Sequence, residues 1–255
     1  MVIKIAEKII EIHNQYKYIE EYCKSYILSE FTGIPDICIT VEPENIAYER
    51  ERSELENKEG VAKSGKFCNE YLETLAVYRK IAEALLGSNI ILFHGSVVAV
   101  DGYGYLFAAK SGTGKSTHTR LWKELFGSRA VMVNDDKPLL KITEDRIIAY
   151  GTPWDGKHRL SANIDVPLKG LCILRRGNEN LIHKIAPREA YPELLQQSYR
   201  PNDITGMTRC LKLVELLSKR VPLYELYCNM NIEAAEIGKR RITPRIPCSP
   251  QLCHN

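Results

Sequence analysis

"LFAAKSGTGKSTHTRLW", residues 106–122, sets an apolar run against a glycine-rich turn and then a helix-forming stretch. The phosphate-loop pattern is G-x-x-x-x-G-K-[ST]. Gly114, Lys115 and Ser116 fill its last three places, and Ala109 stands where the first glycine belongs. Glycines at 112 and 114 let successive backbone N–H groups turn inward as an anion nest. A helix beginning near Lys115 adds its positive dipole end, Lys115 supplies a point charge, and Ser116 can ligate Mg²⁺. The first place needs a small residue more than it needs glycine, so alanine serves if its φ is negative. Ser111, Gly112, Thr113, Gly114, Lys115, Ser116 and Thr117 are therefore the candidate phosphate-binding set. A glycine-rich turn with an incidental lysine is the plainer alternative, and the strand, turn, helix order weighs against it.

Two short motifs flank this turn. Asn134-Asp135-Asp136 follows the apolar run "AVMV", about twenty residues beyond Lys115, where a strand-end carboxylate can reach the same Mg²⁺ or a substrate hydroxyl. Consecutive residues of an extended strand point to opposite faces. One acid is therefore expected to face the metal and phosphates while the other orients it or takes a proton. His94-Gly95-Ser96 closes the run "IILF" just before the hairpin that feeds the turn. A third stretch, "GTPWDGKHR" (151–159), gathers Trp154, Asp155, Lys157, His158 and Arg159 in one loop. Lys157 and Arg159 suit an acidic or phosphorylated group. Trp154 suits stacking on a base or closing a lid, with a surface loop anchored by one Trp as the competing reading.

Outward from the turn, strand signals recur at "IILF", "SVVAV", "GYLFAA", "AVMV", "PLLKI", "RIIAYG" and "LKGLCILRR", with Asp101-Gly102 as a hairpin turn. Helical periodicity marks 16–31, 68–86, 115–126, about 187–198 and 203–219. A strand follows at 222–228 and a short helix from near Asn231. Strands joined partly by hairpins and partly through helices predict a mixed-sheet α/β domain. The charged stretch 44–66 suggests a boundary, dividing a small N-terminal α+β region (1–66) from the main domain (67–242) and a tail (243–255).

The chain has 255 residues, formal net charge +3 and 44% hydrophobic residues, enough for a real core and with no bias toward nucleic acid or a membrane surface. Lys239, Arg240, Arg241 and Arg245 read as a solvated basic end. Charges at Lys4, Glu7 and Lys8 spoil a signal peptide or membrane span at the N-terminus, so a cytoplasmic location is expected. Eight cysteines without a CxxC pair read as reduced, partly buried thiols. Cys248, Cys253 and His254 lack the paired spacing of a zinc site.

"HGS", "KSGTGKS" and "NDD", in this order and near this spacing, together resemble the catalytic domain of bacterial HPr kinase/phosphorylase and its kinase relatives, whose core is shared with ATP-dependent phosphoenolpyruvate carboxykinase. "LKGLCIL" (168–174) resembles that family's basic-Gly-Leu-Gly signature, with Cys172 in place of the last glycine. The resemblance covers roughly 88–180 and implies a mixed-sheet P-loop kinase core using ATP and Mg²⁺. It implies that the glycine-rich loop binds nucleotide phosphates and that His94 and Lys115 lie at the active site. It also implies Asp135 as base toward a serine hydroxyl and Asp136, with Ser116, near the metal. The acceptor is then a serine-bearing peptide, a protein or free serine, and a homo-oligomer is in keeping with the relatives. Two other readings stay open: an ATP-binding regulatory module without transfer, and a carboxykinase-like small-molecule enzyme.

Overall fold

In a computed structural model, which describes residues 1–58, 67–110, 112–156 and 159–242, consecutive residues of the apolar strands feed two different cores. Leu106 and Ala108 join Val97 and Ala99 in one buried cluster, while Tyr105 and Phe107 join Val98 and Val100 in another. This is the period of two expected of a strand buried on both faces, and it explains why these segments read as unbroken apolar runs.

The chain begins with β1 (Val2–Ile5), β2 (Lys8–His13), α1 (Tyr18–Tyr22), β3 (Ile37–Thr40), α2 (Pro43–Lys58) and α3 (Asn69–Leu85). The three strands form a small sheet in the order β1-β2-β3, antiparallel then parallel. Then follow β4 (Ile90–Leu92), β5 (Ser96–Val100), β6 (Tyr103–Ala108), α4 (Lys115–Phe126), β7 (Ala130–Asn134), β8 (Leu139–Ile142) and β9 (Ile147–Tyr150). The chain continues through β10 (Asp165–Arg176), β11 (Leu181–Lys184), α5 (Pro187–Gln197), α6 (Ile204–Arg220), β12 (Leu223–Cys228) and α7 (Glu233–Ile242). The large sheet runs β4-β8-β9-β10-β6-β5-β7, with β12 on β10 and β11 on β12. β10 is its fork: Asp165–Pro167 pair antiparallel with β9, whereas its later residues run parallel to both β6 and β12.

The fold is thus mixed α/β, as expected from its pattern of strands and helices. One face of the large sheet carries α5 and α6 through Leu194, Leu213, Val214 and Leu217. The other carries α4 and α7 through Trp122, Ala234 and Ile242. Gly170 lies where α7 comes closest: a Cβ there would meet the Ile242 side chain at 2.4 Å, so the glycine of "LKGLCIL" is a packing requirement. A third cluster runs from Ile3, Ile10 and Ile39 through Leu72, Val77 and Ile81 to Leu139, Ile148 and Trp154. The N-terminal elements and the main sheet therefore share one core across position 66.

Two local expectations change. The helical period over 16–31 yields only the short α1 and a 3-10 turn at Lys24–Tyr26, after which Ile27 is extended and bridges Ile3. β11 carried no clear signal, because this edge strand buries only Ile182. The described cysteines are free thiols. Among the described residues no helix is long and apolar enough to cross a membrane. The tail from 243, with Arg245, Cys248, Cys253 and His254, lies outside the described residues.

Candidate active site

β6 delivers the chain to a fully buried Ala109 whose φ is negative, so alanine in the first loop position carries no backbone strain. Gly112 and Gly114 take φ of +76° and +120°, which favour glycine, and α4 then begins at Lys115. Arg176, at the end of β10, donates to the carbonyls of Gly112 (2.5 Å) and Thr113 (3.5 Å) and so fixes the outer side of the turn. Nothing in the sequence singled this arginine out. Helix starts leave their first N–H groups without intrahelical partners, which suits the beginning of α4 to an anion.

The other two motifs are stitched to each other by backbone. Gly95 N–H donates to the Asp136 carbonyl (3.0 Å), and Ser96 Oγ donates to the Asp135 carbonyl (2.7 Å). Asn134, fully buried, is the organiser. Its Oδ1 accepts from the N–H groups of Asp136 (2.9 Å) and Lys137 (2.6 Å), and its Nδ2 donates to Thr152 Oγ1 (2.9 Å) and carbonyl (3.2 Å). β7 ends at Asn134, so the two aspartates lie in the turn beyond it. The expected alternation of faces consequently fails: Asp135 and Asp136 both line the same cleft.

That cleft, of 690 Å³, also brings in His94, Gly112, Gly114, Lys115, Ser116 and Thr117. Lys115 Nζ lies 3.2 Å from His94 Nε2 and donates to the Ala109 carbonyl at 3.1 Å. Asp136 Oδ1 lies 3.3 Å from the same His94 nitrogen. Burial pushes the Lys115 ammonium below its usual pKa, against the opposing pull of Asp136. Burial also resists ionisation of Asp136, yet the hydrogen bond from His94 and the charges of Lys137, His94 and Lys115 prevail and hold its carboxyl below the ordinary value. Asp135 is 6% exposed, and its Oδ1 accepts from Gly156 N–H.

Thr113 is described but does not line the cleft, and Ser111, Lys157 and His158 lie outside the described residues. Arg159 lines it with its guanidinium over the Tyr22 ring at 4.3 Å. Trp154 requires a correction. It is 1% exposed, stacks on Tyr78 at 4.2 Å and donates from Nε1 to the Thr74 carbonyl (2.7 Å), so it is a core anchor and neither a lid nor a platform for a base. Tyr22 and Tyr71 were not anticipated; they belong to α1 and α3 and also line the cleft. The only signal for Tyr22 was the aromatic density of 16–26, which has no chemistry of its own.

No known family profile matches the chain, and no curated protein matches it. Among solved structures, the Hpr(Ser) kinase/phosphatase from Coxiella burnetii aligns with a TM-score of 0.36 and 11% identity, over 59% of this chain and 92% of that chain. This is a distant structural relationship.

Proposed function

We propose that this chain is an ATP-dependent phosphotransferase that moves the γ-phosphoryl group of ATP to a serine-type hydroxyl. The observation that carries the reading is convergence: a glycine-rich strand-to-helix turn, its lysine, a histidine and two aspartates from three separate motifs line one cleft. Phosphoryl transfer asks the protein chiefly for positioning and charge stabilisation, and these residue types supply both.

Lys115 and the amides that open α4 neutralise the phosphate oxygens. Ser116 and Asp136 offer two hard oxygen donors, with Asp135 adjacent; this small set suits Mg²⁺, which takes its remaining ligands from phosphates and water. Among the described residues no group of three or more His, Cys, Asp or Glu is arranged to hold a metal by itself. Mg²⁺, when bound, supplies charge neutralisation across the phosphates. Asp135 takes the acceptor's hydroxyl proton, the new O–P bond forms, the bond between the γ-phosphorus and the bridging oxygen breaks, and ADP leaves. The hydrogen bond from Gly156 orients the Asp135 carboxylate for that proton. His94, between Lys115 and Asp136, helps hold the Asp136 carboxylate ionised.

Mass spectrometry after incubation with Mg²⁺-ATP and a pool of free L-serine and serine-bearing peptides tests this reading, with Asp135→Asn as control. A phosphorylated product absent from the control is expected. Binding of ATP with neither ADP nor product would replace the kinase by a nucleotide-responsive module.

A further inference from the structure

A second cavity, of 540 Å³, meets the first at His94 and Tyr71. One of its walls is the segment 197–199, which runs beside 92–94. His94 N–H donates to the Gln197 carbonyl (2.7 Å), Tyr199 N–H donates to the Leu92 carbonyl (2.9 Å), and Phe93 bridges Ser198. Residues of α2 and α3 line it as well. A molecule seated there has one end at the histidine that faces Lys115 and Asp136.

Among its described lining residues, Arg79 is committed to Glu49 at 2.6 Å and to Glu83 at 3.4 Å, and two further cations, Lys137 and Arg200, stand beside them. Lys137 and Arg200 have no salt bridge among the described residues. Low-dielectric walls such as Tyr78 and Leu92 focus this positive field. Gln197, 6% exposed, also lines the cavity.

We infer that this cavity is the acceptor subsite and that it selects a small hydroxylated anion, whose carboxylate or phosphate is held by Lys137 and Arg200 while its hydroxyl is presented at His94 toward the phosphate cleft. The volume fits a small molecule or the end of a larger one. The inference rests on the kinase reading for the fate of the hydroxyl and on the cavity alone for the anion. It also gives α2 and α3 a purpose: they build the subsite that the glycine-rich turn lacks.

The test compares ADP release with four probes: L-serine (carboxylate), glycerol 3-phosphate (phosphate), and the uncharged-end counterparts L-serinamide and glycerol. At least one anionic probe is expected to exceed its counterpart in kcat/KM by about tenfold or more, the usual worth of a charge-assisted hydrogen bond, and which one does so identifies the anion. In Arg200→Gln, KM for that probe should rise by about tenfold while the affinity for Mg²⁺-ATP stays the same. Equal use of anionic and neutral probes, or an Arg200→Gln variant with unchanged KM, overturns the subsite and leaves the kinase reading standing. If no probe releases ADP, the kinase reading fails on this panel. Calorimetric titration of L-serine and glycerol 3-phosphate then decides the cavity separately: heat lost in Arg200→Gln sustains an anion site, and absence of heat overturns it.

Discussion

His94 Nε2 stands 3.2 Å from Lys115 Nζ, and the same nitrogen stands 3.3 Å from Asp136 Oδ1. One ring nitrogen can accept from an ammonium or donate to a carboxylate, but not both at once. The charge of Lys115 is tied to that of Asp136, whose carboxylate favours the ammonium against burial. Asp136→Asn removes the attraction that opposes burial at Lys115, so the lysine loses its proton at lower pH. ATP affinity measured in EDTA, which takes the metal out of the comparison, should decline with rising pH in the native chain. In the variant the decline should begin at lower pH.

Asp135→Asn keeps the side chain's size, and its amide oxygen can still accept from Gly156 N–H. Nucleotide binding should change less than about twofold, while transfer falls by roughly 10²-fold or more, the range expected when general-base help is lost. Single-turnover kinetics with bound ATP separate the two effects.

Gly156 offers a second route to the same group. A Cβ at this position would lie 2.6 Å from Asp135 Oδ2 and 2.9 Å from its Cγ, so Gly156→Ala must displace the carboxylate. The moving atoms are the end of a side chain, and the melting temperature should fall by no more than about 4 °C. Transfer should drop by about 10²-fold, because small misplacements of a reacting group are costly. A fully active Gly156→Ala enzyme would remove Asp135 from the reaction.

Trp154 predicts the reverse pattern, a large effect on stability. Trp154→Ala removes a buried ring and its stack on Tyr78, and should cost about 3–5 kcal/mol in urea unfolding. Trp154→Phe keeps most of the apolar volume but leaves the Thr74 carbonyl without its donor, for about 1–3 kcal/mol.

His118, on α4, gives the chain an acid-sensitive point away from the chemistry. Its ring is buried against Phe107, its Nε2 accepts from Trp122 Nε1 (3.0 Å), and burial pushes its pKa down from 6.5 to about 4. The unfolded chain binds the proton more readily, so stability present above pH 6.5 is lost as pH falls toward 4. Between about pH 7.5 and about pH 5 this one group should account for about 2 kcal/mol of lost stability. His118→Gln, which can still accept from Trp122, should flatten the slope of urea midpoints over that range by the same amount.

The sequence made the chemistry more legible than its surroundings. "KSGTGKS" and "NDD" announce themselves because close phosphate approach and acid–base work restrict residue type at fixed spacing. The long helices α3, α5 and α6 announce themselves through apolar period. Trp154 was misassigned because a tryptophan in a polar loop looks the same whether it faces a ligand or a core; only the arrival of Tyr78 from α3 decides it. Arg176 and Tyr71 were silent for the same reason. Each matters through a neighbour far away in the chain, and such pairings leave no local pattern. The faces of Asp135 and Asp136 were misjudged by extending strand geometry two residues past the end of β7.

The forked strand β10 governs how this protein must assemble. Its partners β6 and β12 lie roughly sixty residues earlier and fifty residues later in the chain, and both pairings are parallel. Neither can form as a hairpin; each requires closure of a long loop before any ladder bond rewards it. Folding should consequently be slow for a chain of this size, with the local hairpins β1-β2 and β5-β6 early and the docking of β10 late. Arg176 reaches the glycine-rich turn only from the end of β10, so the turn gains its outer support at that last step. A nascent chain will carry the phosphate-binding residues long before it can use them.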